Sequence, residues 1–241
     1  MKSSDAQLKN RGKITMEDLQ HYNNHTKMEL LKMMKSKEAY KRTIAVKLLS
    51  EKHDLSDKLT HLFLYTLTQE KKLYTKIELC NALSKGNVTS AKVMVNYLGK
   101  IGTNQHNVLP THGFNKNSYP LPRDIIARTL AQMDEEILPV LIAVLKTDNL
   151  LAIREVIDAI GFICFYHKLH HHSPIIDALM LCLKDHYNDD ITRWKLVRSF
   201  ESFNDSNVIN TLIRIEQHDK QPIIRNEAHR SLKIVTNRMK S

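Results

Sequence analysis

The chain has 241 residues, 42% of them hydrophobic and 26% charged, so it can bury a sizeable core and is not a disordered polymer. Six Gly and six Pro are too few for an all-β protein with many tight turns, and composition therefore favours helices. The net charge of +10 is uneven: residues 1–60 hold 13 Lys/Arg against 8 Asp/Glu and residues 61–120 hold 7 against 2, whereas residues 121–180 hold 5 against 8. A basic half of this kind suits nucleic acid, acidic protein patches or anionic lipid.

No stretch of 18 apolar residues is present, so insertion into a membrane is not expected. The opening MKSSDAQLKNRGK lacks the apolar segment of a secretory signal. Cys80, Cys164 and Cys182 are far apart in apolar patterns, as buried reduced thiols would be. A cytoplasmic protein is the expectation.

Residues 1–24 read as a polar lead-in, with a short helix from Thr15. From residue 25 onward, apolar residues recur at helical spacing in pairs of segments. The spacing predicts first helices over His25–Lys35, Leu55–Thr68, Val88–Ile101, Glu135–Lys146, Pro174–His186 and Asn207–Gln217. Second helices are predicted over Glu38–Glu51, Leu73–Ser84, Pro122–Met133, Leu150–Tyr166, Ile191–Phe203 and Pro222–Val235. Pro122, Pro174 and Pro222 fall in first turns, where proline is tolerated, and Ser173 precedes Pro174 as an N-cap. Pro139 must also sit in a first turn, or it kinks its helix.

The second helices share one frame. A basic anchor (Arg42, Lys76, Arg123, Arg154, Arg193, Arg225) is followed at plus three by Ala45, Leu79, Ile126, Ile157, Leu196 and Ala228, and at plus seven by Leu49, Leu83, Leu130, Gly161, Phe200 and Leu232. Plus three and plus seven share a helix face, so six amphipathic helices carry their stripe in the same register. A helix pair repeated at about this length stacks on its neighbours, because one pair cannot bury its apolar face alone.

The stretches YKRTIAVKLL, YTKIELCNAL, PRDIIARTL, AIREVIDAIG, ITRWKLVRSF and IIRNEAHRSL resemble the HEAT-repeat family, particularly the short bacterial repeats of the phycobilisome-lyase-like kind. Glu70, Asp148 and Asp219, each six residues before an anchor, are a second likeness. The resemblance implies an all-α fold, a right-handed α-solenoid (an α-α superhelix) of about six helix pairs over residues 25–241. It also implies that the acids pair with anchors of the same or an adjacent repeat, so the six anchors are structural. The second helices would line an open concave side.

Two interruptions break the pattern. Residues 102–121, within the third pair, are polar and rich in Gly, Pro and Asn, and a loop of this length is often functional. HKLHHHSP supplies His167 and His171, which a continued helix would place on one face as weak metal-ligand candidates. No acid or Cys completes a zinc pattern there, so no metal is expected, and the two interruptions are expected at opposite ends of the helix layers.

Position plus five points away from the apolar stripe and holds Lys47, Arg128, Arg198 and Arg230, a basic ladder on the concave side. Trp194, the sole Trp, lies one turn from Arg198, and an exposed Trp beside Arg is a good contact for a peptide or a base. These five residues are the binding candidates. GxSxG, Walker A and GxGxxG patterns are lacking, so no catalytic residue and no cofactor are assigned. The expected role is a non-enzymatic scaffold that binds a protein partner on its concave surface. The alternative is nucleic-acid binding, in its least favoured form a DNA glycosylase for alkylated bases. The oligomeric state is left open.

Overall fold

The structure is a computed structural model that describes residues 3–167 and 172–238. Every regular element in the described residues is helical. The chain divides into two compact units, Met1–Met94 and Val95–Ser241, with the division inside the third helix pair.

In the first unit, α1 (Asp5–Asn10) and α2 (Met16–Tyr22) precede three first helices, α3 (Lys27–Met33), α5 (Asp57–Gln69) and α7 (Val88–Met94), and two second helices, α4 (Ala39–Lys52) and α6 (Leu73–Ser84). Side-chain capping fixes several starts. Thr15 and Thr26 close capping boxes with Asp18 and Glu29, and Ser56 accepts from the Leu59 amide. The helix expected from Thr15 is α2. The lead-in packs on the body of the unit: α1 and α2 both contact α4, and the Tyr74 amide donates to the Arg11 carbonyl at 3.1 Å. Gly12 has a φ of +92°, and a Cβ there would come within 2.6 Å of Thr75 Oγ1 and 2.9 Å of Thr43 Oγ1, so only glycine allows this crossing. α4 lies on α6, and α5 on α7. Leu30, Ile44, Leu49, Phe63, Leu64 and Leu79 are fully buried, at about 1.5–3 kcal/mol each.

In the second unit a 3-10 turn over Val95–Tyr97 leads into the long loop. There follow α8 (Ile125–Leu130), α9 (Leu138–Val144), α10 (Leu150–Tyr166), α11 (Ser173–Asp185), α12 (Asp190–Ser199, extended by a 3-10 turn to Ser202), α13 (Ser206–His218) and α14 (Pro222–Arg238). The second helices stack in order: α8 on α10, α10 on α12, α12 on α14. First helices α9, α11 and α13 pack on α10, α12 and α14 respectively. The apolar stripe is buried at Ile126, Leu130, Ile157, Leu196, Phe200 and Ala228, and Leu232, at its C-terminal end, is half-buried.

Pro139 sits in a first turn, as expected, but the segment read as one helix is a 3-10 turn, Glu135–Ile137, followed by α9. Two further local readings are corrected. Pro122 precedes α8, whose N-cap is Asp124. Ser173 is the first residue of α11, and His172 is the N-cap residue, without a side-chain cap bond.

Three of the six anchors hold the turn before their helix, and in the third pair the register changes. Arg42, Arg193 and Arg225 each donate to the carbonyl six residues earlier, of Ser36, Tyr187 and Asp219. In the third pair Arg128, not Arg123, makes this bond, from Nε to the Pro122 carbonyl at 2.8 Å. Arg128 is the fourth residue of α8, as Arg42 is of α4, Lys76 of α6, Arg193 of α12 and Arg225 of α14. Arg154 is the fifth residue of α10 and forks Asp189 instead. Two of the three expected acids pair with the neighbouring repeat, and Asp148 does not, its place beside Arg154 being taken by Asp189. Glu70 takes a bidentate Arg42 at 2.8 and 2.9 Å, and Asp219 takes Arg193 at 2.7 and 3.3 Å. Burial pushes the Glu70 carboxyl up, but Arg42 and the Lys71 and Lys72 amides outweigh it and hold it below the usual range.

Candidate functional site

The face of the second unit that was expected to be open is covered by its own chain. α12 is buried around its whole circumference. On the side opposite the Leu196–Phe200 stripe lie Trp194 and Arg198, 2% and 5% exposed, so the expected exposed Trp is a buried one. The cover is the loop. His106 meets the Trp194 ring edge-on at 4.8 Å between centroids. The Phe114 ring lies 5.8 Å from the Arg198 guanidinium and 5.0 Å from that of Arg230. Tyr119 is buried against Phe162 and Phe165, and its carbonyl accepts from the Tyr166 hydroxyl at 3.3 Å. Asp124 ties the base of the loop, accepting from the Gly99 amide and from Gln105 Nε2 while it caps α8. A loop pinned in this way is part of the fold.

Beneath it lies a layer of charge contributed by α10, α12 and α14. Lys195 is fully buried and bridges Asp158 at 2.9 Å and Glu155 at 3.0 Å. Glu227 accepts from Trp194 Nε1 at 3.2 Å and from Arg198 Nε and Nη2, both at 3.2 Å. Arg198 also stacks on Trp194, with 4.0 Å between guanidinium carbon and ring centroid. Arg230 bridges Glu201 and Glu227. The ladder residues Arg198 and Arg230 are therefore paired inside the molecule. Lys47, in the first unit, is half-buried and pairs with Glu51 at 2.9 Å and Glu78 at 3.8 Å. Arg128 serves the turn before α8. The structure brings together three of the five binding candidates, Trp194, Arg198 and Arg230.

Burial shapes the protonation of this layer. It raises Glu155 to about 7, with Lys195 opposing and Asp158 adding to the rise. It raises Glu201 to about 8 against the pull of Arg230. It lowers His106 to about 4, helped by the nearby Lys195 ammonium. For Arg198 burial acts downward, yet the Glu227 carboxylate wins and the guanidinium is raised. His106 Nδ1, the Tyr119 hydroxyl, Glu155 Oε2, Asp158 Oδ1 and Arg230 Nε are buried without a hydrogen-bond partner. The loop and α14 also enclose a cleft of about 400 Å³, lined by Phe114, Asn115, Lys116, Glu227, Arg230 and Lys233 among others.

Glu155, Asp158, Glu201 and Glu227, together with Phe114 and Tyr119, were not singled out from sequence. Asp158 could have been: counting from the helix start rather than from Arg154 puts it, not Ala159, at plus five. The two interruptions are also less separate than expected, because Tyr119 reaches Tyr166, beside His167. His171 lies outside the described residues. His167 Nδ1 is 3.3 Å from Glu135 Oε2, and the described residues contain no group of three His, Cys, Asp or Glu placed to hold a metal. Cys164 and Cys182 are buried free thiols, each pushed up to about 12 by burial.

No family model and no curated protein matches this chain. Among solved structures, the crystal structure of an engineered protein covers 88% of this chain and 99% of its own length at 15% identity, with a TM-score of 0.40. That similarity is too low to carry an argument about fold or function. Among the described residues no helix is long and apolar enough to cross a membrane.

Proposed function

We propose that this chain is a non-catalytic, HEAT-like interaction module that binds a protein partner, with the ordered loop as part of its recognition surface. The reading rests on one observation. Residues 102–121 are fixed to the second-helix face by His106, Phe114 and Tyr119, which holds Asn115 and Lys116 beside the cleft shared with α14. Recognition residues are commonly carried on loops that a rigid scaffold positions. The layer beneath also argues for use. Buried ion pairs add little stability over apolar packing, so a face of this charge density is an expensive way merely to fold. Its ionisable groups are engaged mainly with one another, which favours a supporting role under the loop over a reaction centre.

The test is a photo-crosslinking residue at Asn115, expressed in the native cell. A single captured protein, lost when Lys116 and Lys233 are both changed to Glu, is the expected result. Capture that those changes leave intact, or none, would refute the loop as the recognition element.

The charge of the first unit favours a second reading. Residues 1–94 carry 18 Lys/Arg against 10 Asp/Glu, most of the excess of the whole chain. Duplex DNA bound through that unit would show steeply salt-dependent affinity, insensitive to Lys116→Glu. No binding at low salt would eliminate this reading.

A further inference from the structure

The first unit has a groove that the preceding reading does not use. Between α3 and α5 lies a cavity of about 680 Å³ with a mostly apolar wall of Met28, Leu31, Met34 and Tyr65. Met28 is 75% exposed and Tyr65 65%, unusually high for large apolar side chains that share one concavity. Methionine is flexible and polarisable, and tyrosine offers a rigid apolar face, so such a wall adapts to an inserted apolar stripe. The charge around it has one sign. Lys32 and Lys35 line the cavity, are exposed, and make no ion pair among the described residues. The carboxylate at the groove, Glu70, is neutralised by the Arg42 fork. Glu29, on the same helix, is turned back into its capping box.

We infer that the α3–α5 groove is a docking site for an acidic amphipathic helix of a partner protein. Its apolar stripe at i, i+3/i+4 and i+7 enters between Met28 and Tyr65, and its carboxylates meet Lys32 and Lys35. A helix laid in an apolar groove with complementary rim charge is a recurring mode of recognition. The site lies in a different unit from the loop surface and stands or falls independently of it.

The probe is a fluorescein-labelled, 15-residue Leu/Glu amphipathic helix titrated into the full chain and followed by anisotropy. Saturable binding is expected, weakened at least about tenfold by Tyr65→Asp and by the pair Lys32→Glu with Lys35→Glu. Both variants change exposed side chains, and circular dichroism verifies their fold. The charge-reversed pair should in turn bind a Leu/Lys version of the helix that the natural chain does not. Equal binding of a scrambled peptide, no effect of Tyr65→Asp, or absence of the charge-swap rescue would overturn the inference. So would sedimentation showing a dimer that Tyr65→Asp dissociates, since the occupant would then be a second copy.

Discussion

Trp194 and Arg198, one turn apart on α12, are stacked on each other and both donate to the carboxylate of Glu227 on α14. One carboxylate thus satisfies the indole N–H and a buried guanidinium, and it is itself 2% exposed. The two helices are joined there by a polar contact that tolerates no partial removal.

Glu227→Ala leaves Arg198 buried without its counter-ion, and the expected loss is about 3–5 kcal/mol in urea unfolding. Glu227→Leu combined with Arg198→Met replaces both charges by apolar volume and should recover most of that loss. If the single variant proves neutral, the contact is not holding α12 to α14.

Glu155 gives a pH signature. Its folded carboxyl titrates near 7, against about 4.3 when unfolded, so between those values the folded state holds more protons. Its contribution is therefore fully present below about pH 4 and is lost as pH rises through 7. Glu155→Gln removes this term while leaving Asp158 on Lys195. The variant should gain about 1–3 kcal/mol relative to the natural chain between pH 4.5 and pH 8. His106, lowered to about 4, acts the other way, its stabilisation being lost as pH falls from 6.5 towards 4. The difference between the two chains isolates Glu155, and a flat difference would contradict its raised pKa.

The helices were legible because an apolar residue every three or four positions leaves little choice of period, as in α6 and α10, whose bounds fall where the sequence places them. Register was less legible where the motif is degenerate. Arg123 and Arg128 both precede apolar residues at plus three (Ile126 and Ala131), and the spacing alone does not say which guanidinium reaches a carbonyl six residues back. The closed face was not legible at all. Trp194 and Arg198 lie opposite the stripe, which in a bare helix pair means solvent. What covers them comes from a loop of 20 residues whose aromatic residues, Phe114 and Tyr119, carry no periodic signal. Long-range cover of this kind is set by shape, notably by the absence of a side chain at Gly161.

That absence can be tested. A Cβ at Gly161 would overlap the Tyr119 hydroxyl and ring, which lie directly on α10. Gly161→Ala alone should therefore destabilise, by about 1–3 kcal/mol, and should open the loop to trypsin at Lys116. In a Tyr119→Ala background the same substitution should become favourable, by up to about 1 kcal/mol, from helix propensity. Tyr119→Phe should cost little, because the hydroxyl is buried without a partner. Additive effects of Gly161→Ala and Tyr119→Ala would mean that the two residues do not meet.

The sole Trp makes the cover visible in solution. Trp194 is 2% exposed with His106 against its ring, so its emission should be blue-shifted and protected from iodide. His106→Ala with Phe114→Ala removes two of the three aromatic side chains that hold the loop on the charged layer, while the stripe of α12 keeps its contacts with α11. The emission should then move to the red and iodide quenching should rise, with the far-ultraviolet circular dichroism unchanged. The buried charges beneath would be rehydrated at the same time, lowering the folding midpoint by a few degrees, as about 1 kcal/mol does in a chain of this size. Unaltered emission in that variant would mean that the loop is held by Tyr119 and Asp124 alone, and that His106 and Phe114 do not anchor it.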